Sequence, residues 1–330
     1  MVDVTVLVAV YNAAEYLPKC LNSLLGQTLD NIQIVCIDDC STDDSADVLR
    51  RYAELDSRIT VLRLTENHGQ AYARNEGLKV ALGRYVTFLD SDDWLSPDAL
   101  QSALDVFDGN PLTDCVLFNV VLAYGEGEEQ SSAAYQMRPF TVLTGREAFD
   151  ASLDWSIHGI YIARKELYDR FPYDDTCRAY SDDNTTRLHY IISREVRCCQ
   201  GIYFYRQHEG SVTHGATVRR FDHLKANESM KAQLLRLGVD GDVIRKYETI
   251  RWQVLIDTYM FYHCHRRELP KPQRRYGLGE LRRIWKSIDK PLLDASLTRK
   301  LGYRTMPCWP LFRAQEWIYF TLRGIVGRNK

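Results

Sequence analysis

Three acidic clusters in this chain have the residue types and spacing for metal binding or proton transfer. The clearest is Asp90-Ser91-Asp92-Asp93, in which Asp90 and Asp92 are one residue apart. Two carboxylates at this spacing can share a divalent cation that also takes phosphate oxygens, and hard oxygen ligands suit Mg²⁺ or Mn²⁺. The same four residues are also good turn formers. Taken alone, they fit a solvated turn that caps a following helix about equally well.

A second cluster, Asp38-Asp39, follows a predicted strand. Acidic residues at strand ends of doubly wound sheets accept hydrogen bonds from a nucleotide base or ribose. Alternatively, they stabilise the N-terminus of the next helix, a role for which residues 41–43 also compete. Tyr11 can stack on a base, and Arg74 can reach a diphosphate. The combination, rather than any one residue, indicates a nucleotide site.

The first hundred residues alternate strand and helix signals in a way that can position these groups. Residues 4–10 are a continuous run rich in β-branched residues, and residues 32–37 are a second such run, typical of strands buried on both faces of a parallel sheet. Further strands are predicted at 59–64 and 85–89, and helices at 16–25, 44–53 and 71–82. Because ligands bind beyond the carboxyl ends of such strands, we expect both acidic clusters and Tyr11 at one edge.

Length and composition limit the classes of protein that fit. The chain has 330 residues, of which 45% are hydrophobic and 26% charged, so it can bury a core and is not a disordered tail. Its formal net charge of -2 gives no support for nucleic-acid binding through bulk basicity. We therefore expect no nucleic acid among its partners.

The charge is distributed unevenly. Residues 241–330 contain 19 Lys and Arg against 8 Asp and Glu, a net +11, whereas residues 1–240 contain 23 against 36, a net −13. Helical periodicity dominates from about residue 221, and aromatic residues alternate with cations at 309–313 and 317–323. This composition fits peripheral docking on an anionic membrane face. The alternative is a solvated helical face that covers the rest of the protein.

Cysteine usage and hydropathy predict the compartment. No run of about eighteen apolar residues occurs, and the first apolar run follows Asp3 without a basic segment. The nine cysteines are odd in number and scattered without a C-x-x-C pair, which argues against a disulfide framework and a thiolate zinc site. We expect a cytoplasmic protein with reduced thiols, either free in the cytoplasm or peripheral on the cytoplasmic membrane face.

Four motifs occur in order and together resemble the signature of family 2 glycosyltransferases. They are Val8-Ala-Val-Tyr-Asn12, Asp38-Asp-Cys-Ser-Thr-Asp43, Asn67-His-Gly-Gln-Ala-Tyr-Ala-Arg-Asn-Glu-Gly77 and Phe88-Leu-Asp-Ser-Asp-Asp-Trp94. The resemblance covers residues 3–105 closely and extends loosely to about residue 215. It implies an α/β protein of the GT-A fold, with a Rossmann-like, mostly parallel central sheet and a helical C-terminal extension.

The resemblance also implies the reaction and the domains. The reaction is inverting transfer of a sugar from a nucleotide-sugar donor, expected to be a UDP-sugar, to a hydroxyl of a saccharide or lipid-linked saccharide. Surface polysaccharide assembly is the setting that the family suggests. Residues 1–220 would form the catalytic domain, and residues 221–330 a basic, mainly helical region for acceptor or membrane-surface docking.

The donor site follows by position from the resemblance. Ala9 and Tyr11 would flank the nucleobase, Asp39 would contact the uracil edge with Asp38 beside it, and Arg74 would lie near the diphosphate. This places the base at the ends of the first two strands.

Asp90, Ser91 and Asp92 would form the family's DxD motif. Asp92 is expected to bind the metal ion directly, while Asp90 lies nearer the ribose or sugar. The divalent cation, Mn²⁺ or Mg²⁺, would bridge both phosphates and stabilise the leaving nucleoside diphosphate.

Residues 203–213 resemble the segment that closes the family's catalytic region. Arg206 would pair with phosphate, and His208 would complete the metal shell or bind the diphosphate. His214 competes with His208 for that role. A solvated histidine near an exposed turn is the alternative.

The third acidic cluster, Asp182-Asp183, matches the position of the family's catalytic base. An inverting transfer needs a base that deprotonates the acceptor hydroxyl. We prefer Asp183 as the base, because that register keeps Leu188 and Ile191 at apolar positions; sliding the alignment by one residue makes Asp182 the base. An acidic helix N-terminus would explain the pair without catalysis.

The sequence departs from the family pattern at two positions and leaves two other classes of protein open. Cys40 stands where a glycine is expected, and its Cβ restricts positive φ; Asp182 stands where a glutamate is expected. A sugar nucleotidyltransferase would share the sheet, but its Gly-rich phosphate loop is missing at residues 11–14. A non-catalytic nucleotide-sugar or glycan-binding protein is the other alternative. The sequence also does not determine which sugar is transferred, which acceptor receives it, or whether the protein forms a homodimer.

Overall fold

One mixed sheet forms the centre of the fold. The computed structural model describes residues 2–125, 131–178, 180–207 and 217–326. Within them the strands are β1 (Val4–Val10), β2 (Ile32–Asp38), β3 (Ile59–Arg63), β4 (Tyr85–Phe88), β5 (Trp94–Leu95), β6 (Thr113–Tyr124), β7 (Ser131–Ala134), β8 (Val142–Thr144), β9 (Tyr161–Arg164) and β10 (Glu195–Gln207). Their order is β3-β2-β1-β4-β9-β6-β10-β5, with β7 paired to β6 and β8 to β10.

The half of the sheet formed by the first four strands is entirely parallel. β1 pairs with β2 and β4, and β2 pairs with β3, all in parallel. Every residue of β1 and β2 is buried, which fits their mostly apolar sequences. The polar Thr5 and Gln33 are paired, because the Thr5 hydroxyl donates to Oε1 of Gln33 at 2.8 Å. Beyond β4 the sheet continues with the antiparallel strand β9 and then the parallel pair β6 and β10. The predicted α/β class with a central sheet is confirmed.

Helices cover this sheet and alternate with its strands. They are α1 (Leu17–Leu25), α2 (Ser45–Leu55), α3 (Gln70–Leu78), α4 (Ala99–Gly109), α5 (Gly145–Leu153), α6 (Lys165–Arg170) and α7 (Asp182–Ile192). α1 buries Leu17, Cys20, Leu21 and Leu24, which share one helical face. These side chains pack into the core formed by β1 and β2.

The chain divides into two compact units. The first comprises Met1–Asp175 and Thr185–Val212, and the second comprises Thr176–Asn184 and Thr213–Lys330. The first residues of α7 therefore group with the second unit. The sequence suggested a boundary at residue 220 between a catalytic domain and a docking region. That assignment of roles to the two parts stays a prediction.

The second unit is helical and has an aromatic core. Its further helices are α8 (Asp222–Leu237), α9 (Gly241–His265), α10 (Lys271–Ser287), α11 (Ala295–Thr298) and α12 (Trp309–Ile325). Trp252 of α9 and Phe312 of α12 are fully buried, with ring centroids 5.6 Å apart. Glu248 is also buried, and it accepts hydrogen bonds from Arg251 and from the backbone N–H of Asp289. Such partners offset the cost of burying a carboxylate.

In the described part of the chain, none of the helices combines the length and hydropathy needed to cross a membrane.

Candidate active site

Three adjacent strands bring the predicted donor-site residues to one edge of the sheet. Val10, the last residue of β1, pairs with Asp38 at the end of β2. On the other side of β1, the backbone N–H of Leu89, just after β4, donates to the carbonyl of Leu7 at 3.0 Å. Tyr11, Asp39 and Asp90 therefore follow neighbouring parallel strands at their carboxyl ends, where ligands bind in sheets of this kind.

Asp39 anchors the loop that begins α3. Its carboxylate accepts hydrogen bonds from the backbone N–H groups of His68, at 2.9 Å, and Gly69, at 2.8 Å. Gly69 has φ +94°, a conformation that favours glycine. A carboxylate offers about four lone-pair sites, so Asp39 retains capacity to accept further hydrogen bonds.

Asp38 lies below this edge and has no exposed surface. One carboxylate oxygen accepts from the backbone N–H of Ser41 at 2.8 Å, and the other lies 3.3 Å from Nε of Arg63. Two residues further on, Cys40 has φ +63°, the left-handed conformation that favours the glycine expected at this position. The loop is further held by Asn12, whose Oδ1 accepts from the backbone N–H of Thr42 at 2.8 Å.

Two predicted base-flanking residues differ in their accessibility. Tyr11 is 50% exposed, so its ring is available to a ligand. Ala9 lies within β1, is almost completely buried and pairs with Ile37 of β2.

Arg74 is buried and paired with Asp90. Its Nη2 lies 2.5 Å from Oδ1 of Asp90, and Gln70 donates to the same oxygen at 2.6 Å. The guanidinium lies over the ring of Phe88, 4.0 Å from the centroid, and 5.3 Å from that of Tyr173. Only 2% of the Arg74 side chain is exposed, so in this structure Arg74 orients Asp90.

Asp93 is the buried member of the acidic cluster. Its carboxyl group accepts hydrogen bonds from the Tyr203 hydroxyl and from the backbone N–H of Arg206, each at 2.7 Å. Burial, followed by the charges of Asp90 and Asp92, raises the pKa of Asp93 to about 9. Three carboxyl groups are thus concentrated at the end of β4.

Arg206 fixes the backbone of the same turn. Its Nε donates to the carbonyl oxygen of Asp92 at 2.8 Å, and its guanidinium lies 4.9 Å from the ring centroid of Tyr16 and 5.1 Å from that of Trp94. Ser91 lies inside the turn, which is closed by a hydrogen bond from the backbone N–H of Asp93 to the carbonyl of Asp90.

The carboxylates of Asp90 and Asp92 have the donor chemistry for Mg²⁺ or Mn²⁺. Among the described residues, no group of three or more His, Cys, Asp or Glu forms a ready-made metal site. His208, the third predicted ligand, lies outside the described residues. The residues present fit a cation whose remaining ligands come from the donor's phosphates and water, as Mg²⁺ sites usually do.

Three residues of this site had no role in the sequence-based prediction. Gln70 contacts Asp90, while Asp93 and Tyr203 bond to each other across the sheet. Gln70 and Asp93 belong to the motifs named in the sequence analysis, so the sequence already placed them near the site. The partnership of Tyr203 with Asp93 had no signal, because the two residues lie in different parts of the sequence.

The predicted base pair begins α7. Asp182 is exposed and Asp183 half-buried in the first turn of this helix. The turn is held within the second unit by neighbouring polar residues: Ser181 donates to the carbonyl of Cys177 at 2.9 Å, and Asn184 donates to the carbonyl of Ala226 at 2.8 Å. A carboxylate in this position is favoured by the helix dipole.

Comparison with known proteins identifies the class of this chain. The family model described as Glycosyl transferase family 2 matches residues 5–180. The chain is also 42% identical over 313 residues to the putative glycosyltransferase EpsH of Bacillus subtilis (strain 168), covering 90% of this chain and 86% of EpsH. The chain therefore belongs to glycosyl transferase family 2, and it is a glycosyltransferase.

Solved structures support the same fold. The crystal structure of S. aureus TarS 1-349 in complex with UDP-GlcNAc is similar with a TM-score of 0.75 and 20% identity, covering 99% of this chain and 92% of that chain. The mannosyltransferase PcManGT from Pyrobaculum calidifontis, in complex with GDP-Man and Mn²⁺, has a TM-score of 0.52 and 20% identity, with 98% and 86% covered. The predicted GT-A fold is confirmed, and the family model and EpsH confirm the predicted enzyme class.

Proposed function

We propose that the chain is a metal-dependent, inverting glycosyltransferase that uses a UDP-sugar donor. The observation that carries this proposal is the acidic turn at the end of β4, where Asp90 and Asp92 lie beside the Asp39 loop. A nucleoside diphosphate presents a base, a ribose and two charged phosphates, and this edge offers an exposed aromatic ring and carboxylates for them.

The base would bind at the ends of β1 and β2. Tyr11 would stack on it, and the remaining lone pairs of Asp39 would accept the N–H of a uracil edge. Asp38 would lie beside it and hold the loop through the backbone N–H of Ser41. The preference for UDP rests on the likeness to TarS, whose crystal structures include complexes with UDP-GlcNAc and UDP.

The acidic turn would hold the cation and the sugar diphosphate. We assign Asp92 as the direct metal ligand, with Asp90 oriented toward ribose or sugar by Arg74 and Gln70 and with Ser91 forming the turn between them. When bound, Mn²⁺ or Mg²⁺ supplies charge stabilisation for the departing diphosphate. Arg206 would support this turn through the carbonyl of Asp92, and His208 is retained as a further proposed ligand of the metal or diphosphate.

Asp183 would act as the general base. In an inverting transfer, the acceptor oxygen bonds to the anomeric carbon, the bond from that carbon to the diphosphate oxygen breaks, and the acceptor proton goes to the Asp183 carboxylate. Asp182 would support it at the helix N-terminus. The acceptor would be a saccharide or lipid-linked saccharide hydroxyl, a proposal that rests on likeness to the family alone.

We also propose that the enzyme works in a reducing compartment, the cytoplasm. All nine cysteines are free thiols in the structure. Nine unpaired cysteines suit a compartment that keeps thiols reduced.

Calorimetric titration tests the donor site. UDP-, GDP-, TDP- and CMP-sugars are titrated with and without Mn²⁺ into the wild type, Asp92→Asn and Asp105→Asn. Asp105 is an exposed residue of α4, so its variant matches the charge change away from the site. We expect metal-dependent binding of a UDP-sugar that is lost in Asp92→Asn and kept in Asp105→Asn. Metal-independent binding, or equal binding by Asp92→Asn, would refute the metal assignment.

Turnover tests the base separately. Asp183→Asn should bind donor like the wild type but lower kcat by at least about 100-fold, because general base catalysis contributes roughly 10²–10⁴. The matched variant Asp182→Asn should be affected less. Reversal of this order would assign the base to Asp182. A product with the donor's anomeric configuration, seen by NMR, would contradict the inverting reaction.

A further inference from the structure

Helix α12 has an apolar face that points away from its own unit. Its opposite face packs inside the unit: Phe312 contacts Trp252, and Phe320 lies 6.5 Å from Tyr259 between ring centroids. At about 100° per residue, the outward face carries a series of large apolar residues. These are Leu311, Trp317, Ile318, Leu322 and Ile325, between 51% and 77% exposed, which we call the α12 apolar face.

No charged side chain interrupts this face. The polar residue within it is Thr321, and its hydroxyl donates to the carbonyl of Trp317 at 2.6 Å, so its donor is satisfied inside the helix. A surface helix of a globular protein normally turns charged or polar residues to solvent. The α12 apolar face reverses that pattern over most of the helix, and such contiguous patches mark interaction surfaces.

The residues around the face are cationic. Residues 299–326 contain five cations, Arg299, Lys300, Arg304, Arg313 and Arg323, and one acidic residue, Glu316. Glu316 is buried on the packed side of the helix, where burial raises its pKa to about 8. This segment therefore exposes positive charge without an exposed carboxylate of its own.

The exposed cations lie next to the apolar face in space as well as in sequence, whereas Arg323 is half-buried and its guanidinium lies over the rings of Tyr319 and Phe320. The backbone carbonyl of Arg304 accepts a hydrogen bond from Gln315 of α12 at 3.1 Å, so the loop that carries Arg299, Lys300 and Arg304 runs along the helix. Arg313 is exposed in the first turns of α12.

We infer that the α12 apolar face docks on an anionic lipid membrane, with its apolar side chains at the acyl boundary and the flanking cations on lipid phosphates. An amphipathic helix with a cationic border binds a membrane surface in this way, through buried apolar area and attraction to anionic headgroups. The inference concerns where the protein sits and stands apart from the donor, the metal and the base proposed above.

A second copy of the chain is a less suitable occupant. A twofold interface would place the same patch against itself. The cations of both copies would then meet without exposed carboxylates from the segment to pair them, and like charges brought together repel. An anionic lipid surface supplies the opposite charge to the same side chains.

Vesicle cosedimentation of the full chain tests the inference. Neutral phosphatidylcholine vesicles are compared with vesicles in which about one third of the lipid is anionic phosphatidylglycerol. The wild type should pellet with the anionic vesicles, and Ile318→Gln with Leu322→Gln should weaken the partition at least about tenfold. Leu55→Gln with Leu235→Gln is the matched control, because these leucines are also exposed but lie on α2 and α8.

Fluorescence locates the contact. Brominated lipids quench a tryptophan that reaches the acyl boundary, so quenching of the wild type on anionic vesicles should be largely lost in Trp317→Phe. Trp155→Phe is the control, since Trp155 is 51% exposed and Trp317 52%.

Three results would overturn the inference. The first is failure of the wild type to bind anionic vesicles. The second is binding that persists undiminished in Ile318→Gln with Leu322→Gln, or quenching that persists in Trp317→Phe. The third is a wild-type dimer without lipid that becomes a monomer in the double variant, which would show that the face pairs with a second copy. Because every substituted side chain is exposed, thermal unfolding of the variants should match that of the wild type.

Discussion

The Arg74–Asp90 ion pair should be strongly coupled, in contrast to ion pairs on the surface. The two charges are 2.5 Å apart, and the exposed fractions of their side chains are 2% and 26%. Removing one member leaves the other charge buried without its partner, which costs about 3 kcal/mol in comparable buried pairs. Arg74→Met keeps the packing against Phe88, and Asp90→Asn keeps the acceptor oxygen, so each substitution mainly removes a charge.

A double-mutant cycle measures the coupling. We expect each single variant to lose about 2–3 kcal/mol and the double variant about 3 kcal/mol, which gives a coupling energy of about 2 kcal/mol. The matched cycle on Asp47 and Arg50, an exposed pair on α2, should give no more than about 0.5 kcal/mol.

Urea unfolding gives the stabilities, but two units need not unfold together. Hydrogen exchange of peptides from β1 and β4 therefore serves as the readout specific to the first unit, because buried central strands exchange through its global opening. A coupling energy for Arg74 and Asp90 below about 0.5 kcal/mol would mean that the effects are additive, and it would refute the reasoning.

Three further predictions concern other parts of the chain. In α10, Gly277→Ala should destabilise the second unit by about 2 kcal/mol, because an added Cβ would overlap the ring of Phe221; Gly279→Ala, with nothing within 4 Å, should stabilise it by about 0.5–1 kcal/mol in urea unfolding. Burial lowers the pKa of His189 to about 4, so the unfolded state binds the proton more tightly than the folded state. The free energy of unfolding should therefore be highest above about pH 6.5 and fall by up to about 3 kcal/mol toward pH 4. Urea titrations at each pH should show a flatter slope for His189→Asn. Cys40→Gly should relieve the left-handed conformation and change the unfolding free energy by about +0.5 kcal/mol, whereas Cys40→Val should lower it by about 1–2 kcal/mol.

Each of these predictions has a result that contradicts it. Equal effects of alanine at Gly277 and Gly279 would mean that the Phe221 ring moves aside freely. An unchanged pH slope in His189→Asn would assign the acid sensitivity to other groups. A loss of more than about 1 kcal/mol in Cys40→Gly would show that the Cys40 Sγ contact with the carbonyl of Thr65 outweighs the backbone strain.

The parallel half of the fold was predictable because its signals are local. β1 and β2 are buried on both faces, and their sequences are correspondingly rich in apolar, β-branched residues. The third helix was predicted to reach residue 82, but α3 ends at Leu78. The side chain of Gln33 explains the difference: it donates to the carbonyl of Val80 and accepts from the N–H of Leu82, which satisfies backbone groups that a helix would otherwise pair.

The site was predictable where motif residues follow strand ends, as Asp39 and Asp90 do. It was less predictable where a side chain faces inward. Asp38 and Arg74 belong to the same motifs and, like Asp39, are buried. Local spacing does not distinguish a group that is fully paired inside the protein from one that can still accept a ligand. The bond between Asp93 and Tyr203 depends on β10 entering the sheet beside β5, which is a long-range event.

The position of β10 also affects how the chain is made. Among the described residues it is the last strand in sequence, yet it lies between β6 and β5, and it pairs along nearly the whole length of β6. Until residue 207 leaves the ribosome, one edge of β6, with its apolar sequence, has no partner strand. At about 5–20 residues per second, synthesis of the residues between them takes on the order of ten seconds. During that interval the nascent chain presents an open strand edge of the kind that templates aggregation, so we expect slow codons or truncation before β10 to lower the yield of folded enzyme more than the same changes in the helical C-terminal region.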